Sequence, residues 1–347
     1  MIKTVLINDT SYANHHGCIR VMENIREGLG ETDYEIIGTI PVGAPFEKLE
    51  SNKRLVDAAD LVVLNGEGSI HHERPYSLSM TEALEYAISK GKKVALINAL
   101  WQGNNAEMAA VAGRTNLLYV RDRRSQTELG GFGISAAYAP DMTFSKPVRS
   151  TVRAVEGRLA VTDSFYKQYT AEAYRYCRQH REVSYAPMIR SRLVHTWRED
   201  NRSRKLKEAL YLRLLKLSGG RLPMRQYYKD LMFQQSTPQA YIDYLAGHEA
   251  VVCYRFHALC FCLQAGIPFI AIRSNSWKVE ALLEEIGLSL QERMLSHEEV
   301  LANGPAELVE RARQSDRDKQ LINDFLISSQ ADNARIFSEI GAIVAAT

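Results

Sequence analysis

Residues 250–287 read AVVCYRFHALCFCLQAGIPFIAIRSNSWKVEALLEEIG, and the change of period within them decides the fold. The first four residues are apolar and β-prone, as in a strand covered on both faces. After Tyr254 the spacing switches: Leu259, Cys262, Leu263 and Ala265 share one helical face, and Gly266 ends it. Residues 268–272 repeat the strand signature, and 277–286 form a second amphipathic helix closed by Gly287. This is a βαβα unit. Arg255, His257 and Lys278 fall at its strand-to-helix turns, the edge at which open parallel sheets receive ligands.

The same alternation fills the chain outward from this unit. Strands are predicted at 4–7, 34–40, 61–64, 93–98, 117–120 and 135–139, with helices at 19–29, 46–59, 80–90, 105–111 and 124–129. Residues 145–157 have no clear period and read as a linker. Beyond them the pattern restarts, with strands at 159–162 and 183–185 and helices at 171–180 and 237–246. Such an order argues for parallel sheets with helices on both faces. At 347 residues the chain is long for one core. The expected fold class is α/β, two Rossmann-like domains facing a cleft: residues 1–150, residues 151–315, and a C-terminal helical stretch, 316–347, packing back across them.

Composition excludes several classes. With 46% hydrophobic and 24% charged residues the chain is an ordinary soluble globular protein, and a net charge of +2 makes no global case for nucleic acid or acidic partners. The cysteines, Cys18, Cys177, Cys253, Cys260 and Cys262, are odd in number and lack CxxC spacing, which points to reduced thiols and a cytoplasmic location. The first apolar run, 5–7, is too short for a signal-peptide core, and no segment reaches transmembrane length. Charge is nonetheless concentrated between Arg190 and Lys229, where twelve basic residues face three acidic ones. That density fits a solvated helix face as well as peripheral contact with an anionic acceptor or the lipid headgroups of a membrane's inner face. Nucleic acid is not expected, because no recognised nucleic-acid module accompanies the charge.

Candidate site residues cluster at predicted strand exits. The loop after the third strand reads Asn65, Gly66, Glu67, Gly68, Ser69, Ile70, His71, His72; its glycines let backbone approach a ligand, although a Gly-x-Gly turn is also an ordinary strand exit. The loop after the first strand carries Asn14, His15 and His16, expected to face Glu67, His71 and His72 across the cleft. Hydrogen bonding to a polyhydroxylated substrate is the favoured use. Zinc is the minor one, since adjacent histidines do not match the usual ligand spacing, and no metal is expected. Arg121 and Asp122 follow the fifth strand, with Ser125 placed to cap or stabilise the next helix; Asp141 and Asp163 close two further strands. His257 alone would read as a satisfied turn histidine, but Arg255 and Lys278 make a set suited to a small, highly charged anion.

Four segments together, NGEGS at 65–69, RDRRSQTELGGFGISAAYAPDMTF at 121–144, TDS at 162–164 and YRFHALCFCLQAGIPFIAI at 254–272, resemble the polysaccharide pyruvyl transferases, in order and over most of the chain. The resemblance implies a bilobed GT-B-like fold and transfer of a pyruvyl group from phosphoenolpyruvate to a sugar of a cell-surface polysaccharide or its precursor, as a ketal. It places donor binding and catalysis on Arg255, His257 and Lys278; apart from the resemblance, Arg121 is expected as a further donor contact from across the cleft. The acceptor, a saccharide free or lipid-linked, falls to Asn14, His15, His16, Gly66, Glu67, Gly68, Ser69, His71 and Asp163. No cofactor beyond the donor substrate is implied. The chain departs from the family where the first loop commonly carries Asn-x-Gly-Asp: here Asn14 is followed by His15, His16, Gly17 and Cys18. The usual Gly-Gly-Gly run is Gly66, Glu67, Gly68. On these residues His257 is the expected proton donor, and Glu67, Asp141 or Asp163 the base. Two other functions fit the same fold: a glycosyltransferase using a nucleotide sugar, and a non-catalytic glycan-binding protein.

Overall fold

A computed structural model describes residues 1–30, 33–189 and 237–346, together with 206, 209–211, 213–214 and 217–219. Most of the basic stretch from Arg190 to Lys229 lies outside the described residues. Two compact units divide the chain: Met1–Thr10, Val21–Pro147 and Asp324–Thr347 form the first, and Ser11–Arg20 with Val148–Asn323 form the second.

In the first unit, β1 (Ile2–Asp9), β2 (Tyr34–Pro41), β3 (Leu61–Asn65), β4 (Lys93–Ala99), β5 (Leu117–Val120) and β6 (Ala137–Tyr138) make one parallel sheet, ordered β2-β1-β3-β4-β5-β6. All five residues of β3 are buried, as a central strand covered on both faces requires. Between the strands run α1 (His16–Leu29), α2 (Glu50–Ala58), α3 (Pro75–Ser89), α4 (Ala106–Ala112) and α5 (Arg123–Gly131). Pro75 opens α3, where a missing N–H is harmless, and the Asn105 side chain caps α4. At α5 the cap is Asp122, which accepts the Ser125 N–H, while the Ser125 hydroxyl donates back at 2.9 Å. Ser125 therefore stabilises the helix start as the capped residue, and the cap itself is Asp122.

The second unit repeats the plan with β7 (Val155–Val161), β8 (Val183–Tyr185), β9 (His248–Cys253), β10 (Phe269–Ile272) and β11 (Met294–Leu295), all parallel and ordered β11-β10-β9-β7-β8. Its helices are α6 (Lys167–Gln179), α7 (Pro238–Ala246), α8 (Phe256–Ala265), α9 (Lys278–Ile286), α10 (Leu290–Arg293), α11 (His297–Ala302) and α12 (Pro305–Ala312). The last helix, α13 (Asp316–Ala345), contributes Ile336 and Ile340 to the first unit's core beside Leu6, Val63 and Ile97. Cys253, Cys260 and Cys262 are core residues of the second unit, at 0–1% exposure. No helix among the described residues is long and apolar enough to cross a membrane.

Both sheets place the second strand of the unit outermost, the first beside it and the third on the first strand's other side. Successive crossovers therefore diverge between β1 and β3, and again between β7 and β9. At such switch points the strand ends open a crevice, so the residues after Asp9, Asn65, Val161 and Cys253 are where ligand chemistry belongs.

One buried ion pair braces the first sheet. Arg121, after β5, donates from Nη1 to Asp141 Oδ2 at 2.7 Å, with side-chain exposures of 2% and 1%. The other Asp141 oxygen accepts the Thr143 amide and hydroxyl. Removing one partner strands a buried charge, so Asp141→Ala should cost roughly 3–5 kcal/mol. The double variant Arg121→Met with Asp141→Leu should recover much of that in urea unfolding.

Candidate active site

The sequence places Arg255 immediately before a helix, and the structure shows what that position does. Arg255 is the extended N-cap residue of α8, and its side chain turns to the end of the neighbouring strand β7. Nε and Nη2 both donate to Asp163 Oδ2, at 3.0 and 2.5 Å, and Nη2 also reaches the Ser164 carbonyl at 2.9 Å. Asp163 Oδ1 accepts the Met188 N–H at 2.7 Å. This carboxylate is 1% exposed and holds the arginine with one oxygen and the backbone with the other. Asp163 is thus built to position Arg255, and its burial argues against direct contact with an acceptor. The Nη1 amino group of Arg255 makes no hydrogen bond among the described residues, leaving two N–H donors for an anion.

His257 follows two residues on, in the first turn of α8, at 6% exposure. Lys278 opens α9, with Nζ donating to Asn275 Oδ1 at 2.7 Å. Behind them the Tyr254 hydroxyl meets His297 Nδ1 at 2.8 Å, and His297 Nε2 lies 2.6 Å from Glu172. Tyr169 stacks on the His297 ring, 4.0 Å between centroids. The hydrogen bond from His297 holds the Glu172 carboxyl below its usual range, and burial pushes the Tyr254 phenol up. This chain of side chains pins the exit of β9, and nothing in the local sequence pattern announced it.

The loop after β1 is the main correction. Asn14, His15 and His16 belong to the second unit, in company with His257. The cause is backbone pairing: His15 forms an antiparallel bridge with Ile189, and His16 N–H donates to the Met188 carbonyl at 3.1 Å. Asn14 adopts a left-handed φ of 53° ahead of them. His16 stacks on Tyr241, whose hydroxyl donates to the Ala186 carbonyl at 2.8 Å. His15 packs edge-on against His257, with ring centroids 5.4 Å apart. Burial first, and then the charges of His257, Arg255, His16 and Lys278, hold the His15 pKa well below the usual 6.5. Gly17 permits this approach, because a Cβ there would lie 2.1 Å from the Cβ of His257.

In the first unit the strand ends are bound together by amides. Asn8 Nδ2 donates to the Asn65 carbonyl at 2.6 Å, Asn98 Nδ2 to Asn65 Oδ1 at 3.0 Å, and Asn65 Nδ2 to Glu67 Oε2 at 3.2 Å. Asn8, Glu67 and Asn98 all have positive φ, of 62°, 38° and 56°, and all are buried. Three such residues at one switch point are a local strain of the kind that marks functional sites. Gly66 is required: a Cβ would sit 2.6 Å from the Ala99 Cα. Ser69 N–H closes the turn onto the Gly66 carbonyl, carrying Gly68 within it, and His71 Nδ1 lies 2.8 Å from His72 Nδ1. Sequence reading singled out Gly66, Glu67, Gly68, Ser69 and His71 but missed Asn8 and Asn98, each near the end of a predicted strand. Arg121, the remaining expected donor contact, belongs to this unit and is engaged by Asp141, so it would have to leave that pair to reach a ligand.

Solved structures of low sequence identity share the fold. A Listeria monocytogenes protein described as a UDP-N-acetylglucosamine 2-epimerase superposes with a TM-score of 0.53 at 12% identity, covering 100% of this chain and 97% of its own. A trehalose-6-phosphate synthase gives 0.51 at 8% identity, covering 99% of each chain. No curated protein sequence matches significantly. Two Rossmann-like units with parallel sheets of this order define a GT-B-like α/β fold. The model of the polysaccharide pyruvyl transferase family matches residues 9–276, and the chain belongs to that family.

Two outcomes follow from the histidine geometry. Gly17→Ala should cost the second unit about 1–3 kcal/mol, the usual scale of overpacking, and shift the His257 ring signals in NMR spectra. Separately, a histidine held neutral when folded binds its proton only on unfolding, so its contribution is full above the unfolded pKa of 6.5 and falls as pH drops through that value. Thermal melts between about pH 8 and pH 5 should lose stability more steeply for wild type than for His15→Gln. His248, lowered by burial, contributes in the same direction in both proteins.

Proposed function

We propose that this protein moves a pyruvyl group from phosphoenolpyruvate onto a sugar of a cell-surface polysaccharide or its precursor, forming a ketal. The observation that carries the reading is Arg255, oriented by buried Asp163 at the β7/β9 switch point, with His257 two residues away and Lys278 at the next turn. Family membership supplies the chemistry that such a cluster would serve.

In this reading the Arg255 Nη1 group and Lys278 receive the carboxylate and phosphate of the donor. His257 gives a proton to the methylene carbon, which becomes the ketal methyl group, and the neighbouring carbon turns electrophilic. One sugar hydroxyl adds there and loses its proton; the carbon–oxygen bond to phosphate then breaks, and a second hydroxyl adds. One donor and two hydroxyls give one ketal and one hydrogen phosphate, so atoms and protons balance. The cations offset charge on the departing phosphate, and the reading includes no metal in this step. Asp141 and Asp163 are each committed to an arginine, which counts against either as the base; the first unit's loop of Gly66, Glu67, Gly68, Ser69 and His71 is proposed as an acceptor contact. A lipid-linked acceptor and work at the inner face of a membrane belong to the same proposal.

His257→Ala should lower turnover at least about a hundredfold, the scale of a general acid. Near-normal pyruvyl transfer by that variant would end the assignment. In thermal-shift measurements phosphoenolpyruvate should stabilise the wild type and do so weakly for Arg255→Ala. Stabilisation by a nucleotide sugar in its place would turn the reading toward a glycosyltransferase. Saccharide binding with no phosphate released from any donor would turn it toward a glycan-binding protein.

A further inference from the structure

The loop that joins the second unit brings three metal-ligating side chains together. His15, Cys18 and His257 each offer one ligand atom, and these atoms all lie within 4.8 Å of one another. A tetrahedral ion with bonds of about 2.0–2.3 Å sets its ligands roughly 3.3–3.8 Å apart, so side-chain movements of about 1 Å would close the set. The backbone beneath is already fixed. His15 is bridged to Ile189, the Cys18 N–H points to His15 Nδ1 at 3.4 Å, and Gly17 lies directly against His257. Cys18 is partly exposed, whereas Cys177, Cys253, Cys260 and Cys262 are at most 6% exposed, so the set contains the accessible thiol of the chain.

We propose that His15, Cys18 and His257 form a binding site for a thiophilic divalent cation such as zinc, with a fourth position left to an anionic oxygen. Two imidazoles and a thiolate are the donor set that such an ion prefers, and three protein ligands with one open position is the arrangement of reactive zinc sites. Charge selects the fourth ligand. Arg255, at the N-cap two residues before His257, and Lys278, at the start of α9, bring two cations to the same sheet edge, and they disfavour an added dication. The thiolate offsets one charge, and a bound phosphate or carboxylate would offset the remainder. Ion and anion should therefore assist each other. While it ligates, His257 cannot hand over a proton, so if the transfer proposed above is correct the ion inhibits it. The site shares His257 with that reaction, but its test reads binding alone.

The test uses cobalt as a spectroscopic probe on the reduced full-length protein. One Co2+ per chain should bind with a thiolate-to-metal charge-transfer band, displaced by Zn2+. Cys18→Ser should abolish the band and weaken binding at least about tenfold, and His15→Gln should weaken it similarly, as loss of a ligand does. Cys18→His should still bind Co2+ but without the band, which separates ligand loss from misfolding. Inorganic phosphate should tighten Co2+ binding several-fold. Persistence of the band in Cys18→Ser, or no uptake of Co2+ by the wild type, would overturn the site; indifference to phosphate would overturn its anionic fourth ligand.

Discussion

A single carboxylate, Asp163, organises the second unit's chemistry. It sits just beyond β7, nearly without solvent, and divides its oxygens between the Arg255 guanidinium and the Met188 amide. The first contact aims a charge at the strand edge. The second ties down the segment on which His15 and His16 pair. A buried carboxylate is costly unless every oxygen is occupied, and here both are. Arginine orientation and histidine placement consequently share one support, and loss of Asp163 would release both.

The first unit solves the corresponding problem without a charge at its centre. Asn65 is the hub, giving and receiving hydrogen bonds from Asn8, Asn98 and Glu67 where β1, β3 and β4 end. Amides can donate and accept at once, so one side chain links several strands where a carboxylate could only accept. The left-handed backbone at Asn8 and Asn98 suits asparagine better than most residues. At Glu67 the same conformation has no such excuse, which is why the loop reads as shaped for binding.

How much of this was legible in the sequence depends on the range of the interaction. Strand-to-helix alternation located both parallel sheets, because the burial of strands such as β3 and β9 writes itself as apolar runs. It likewise placed Arg255, His257 and Lys278 at helix starts. The two-residue strand β11 and the short helices α10 to α12 carried too few periodic positions to register. Asp163 read as a possible acceptor contact because its partners are contributed by Arg255 and Met188, far along the chain. The placement of His15 and His16 in the second unit was hidden for a similar reason: a loop that leaves one sheet can be claimed by another unit, and the pairing with Ile189 has no local signature. The segments that carried the family resemblance fall at strand ends and on the elements that follow them, in both units.

The contact between Gly17 and His257 also bears on inheritance. With a Cβ at position 17 falling 2.1 Å from the Cβ of residue 257, the two positions are coupled through an atom that every residue but glycine carries. Shortening the side chain at 257 leaves that Cβ in place and makes no room at 17. A descendant carrying a side chain at 17 would therefore need glycine at 257 or a displaced start to α8, and in either case the imidazole would leave its present position, and with it any chemistry that depends on that ring.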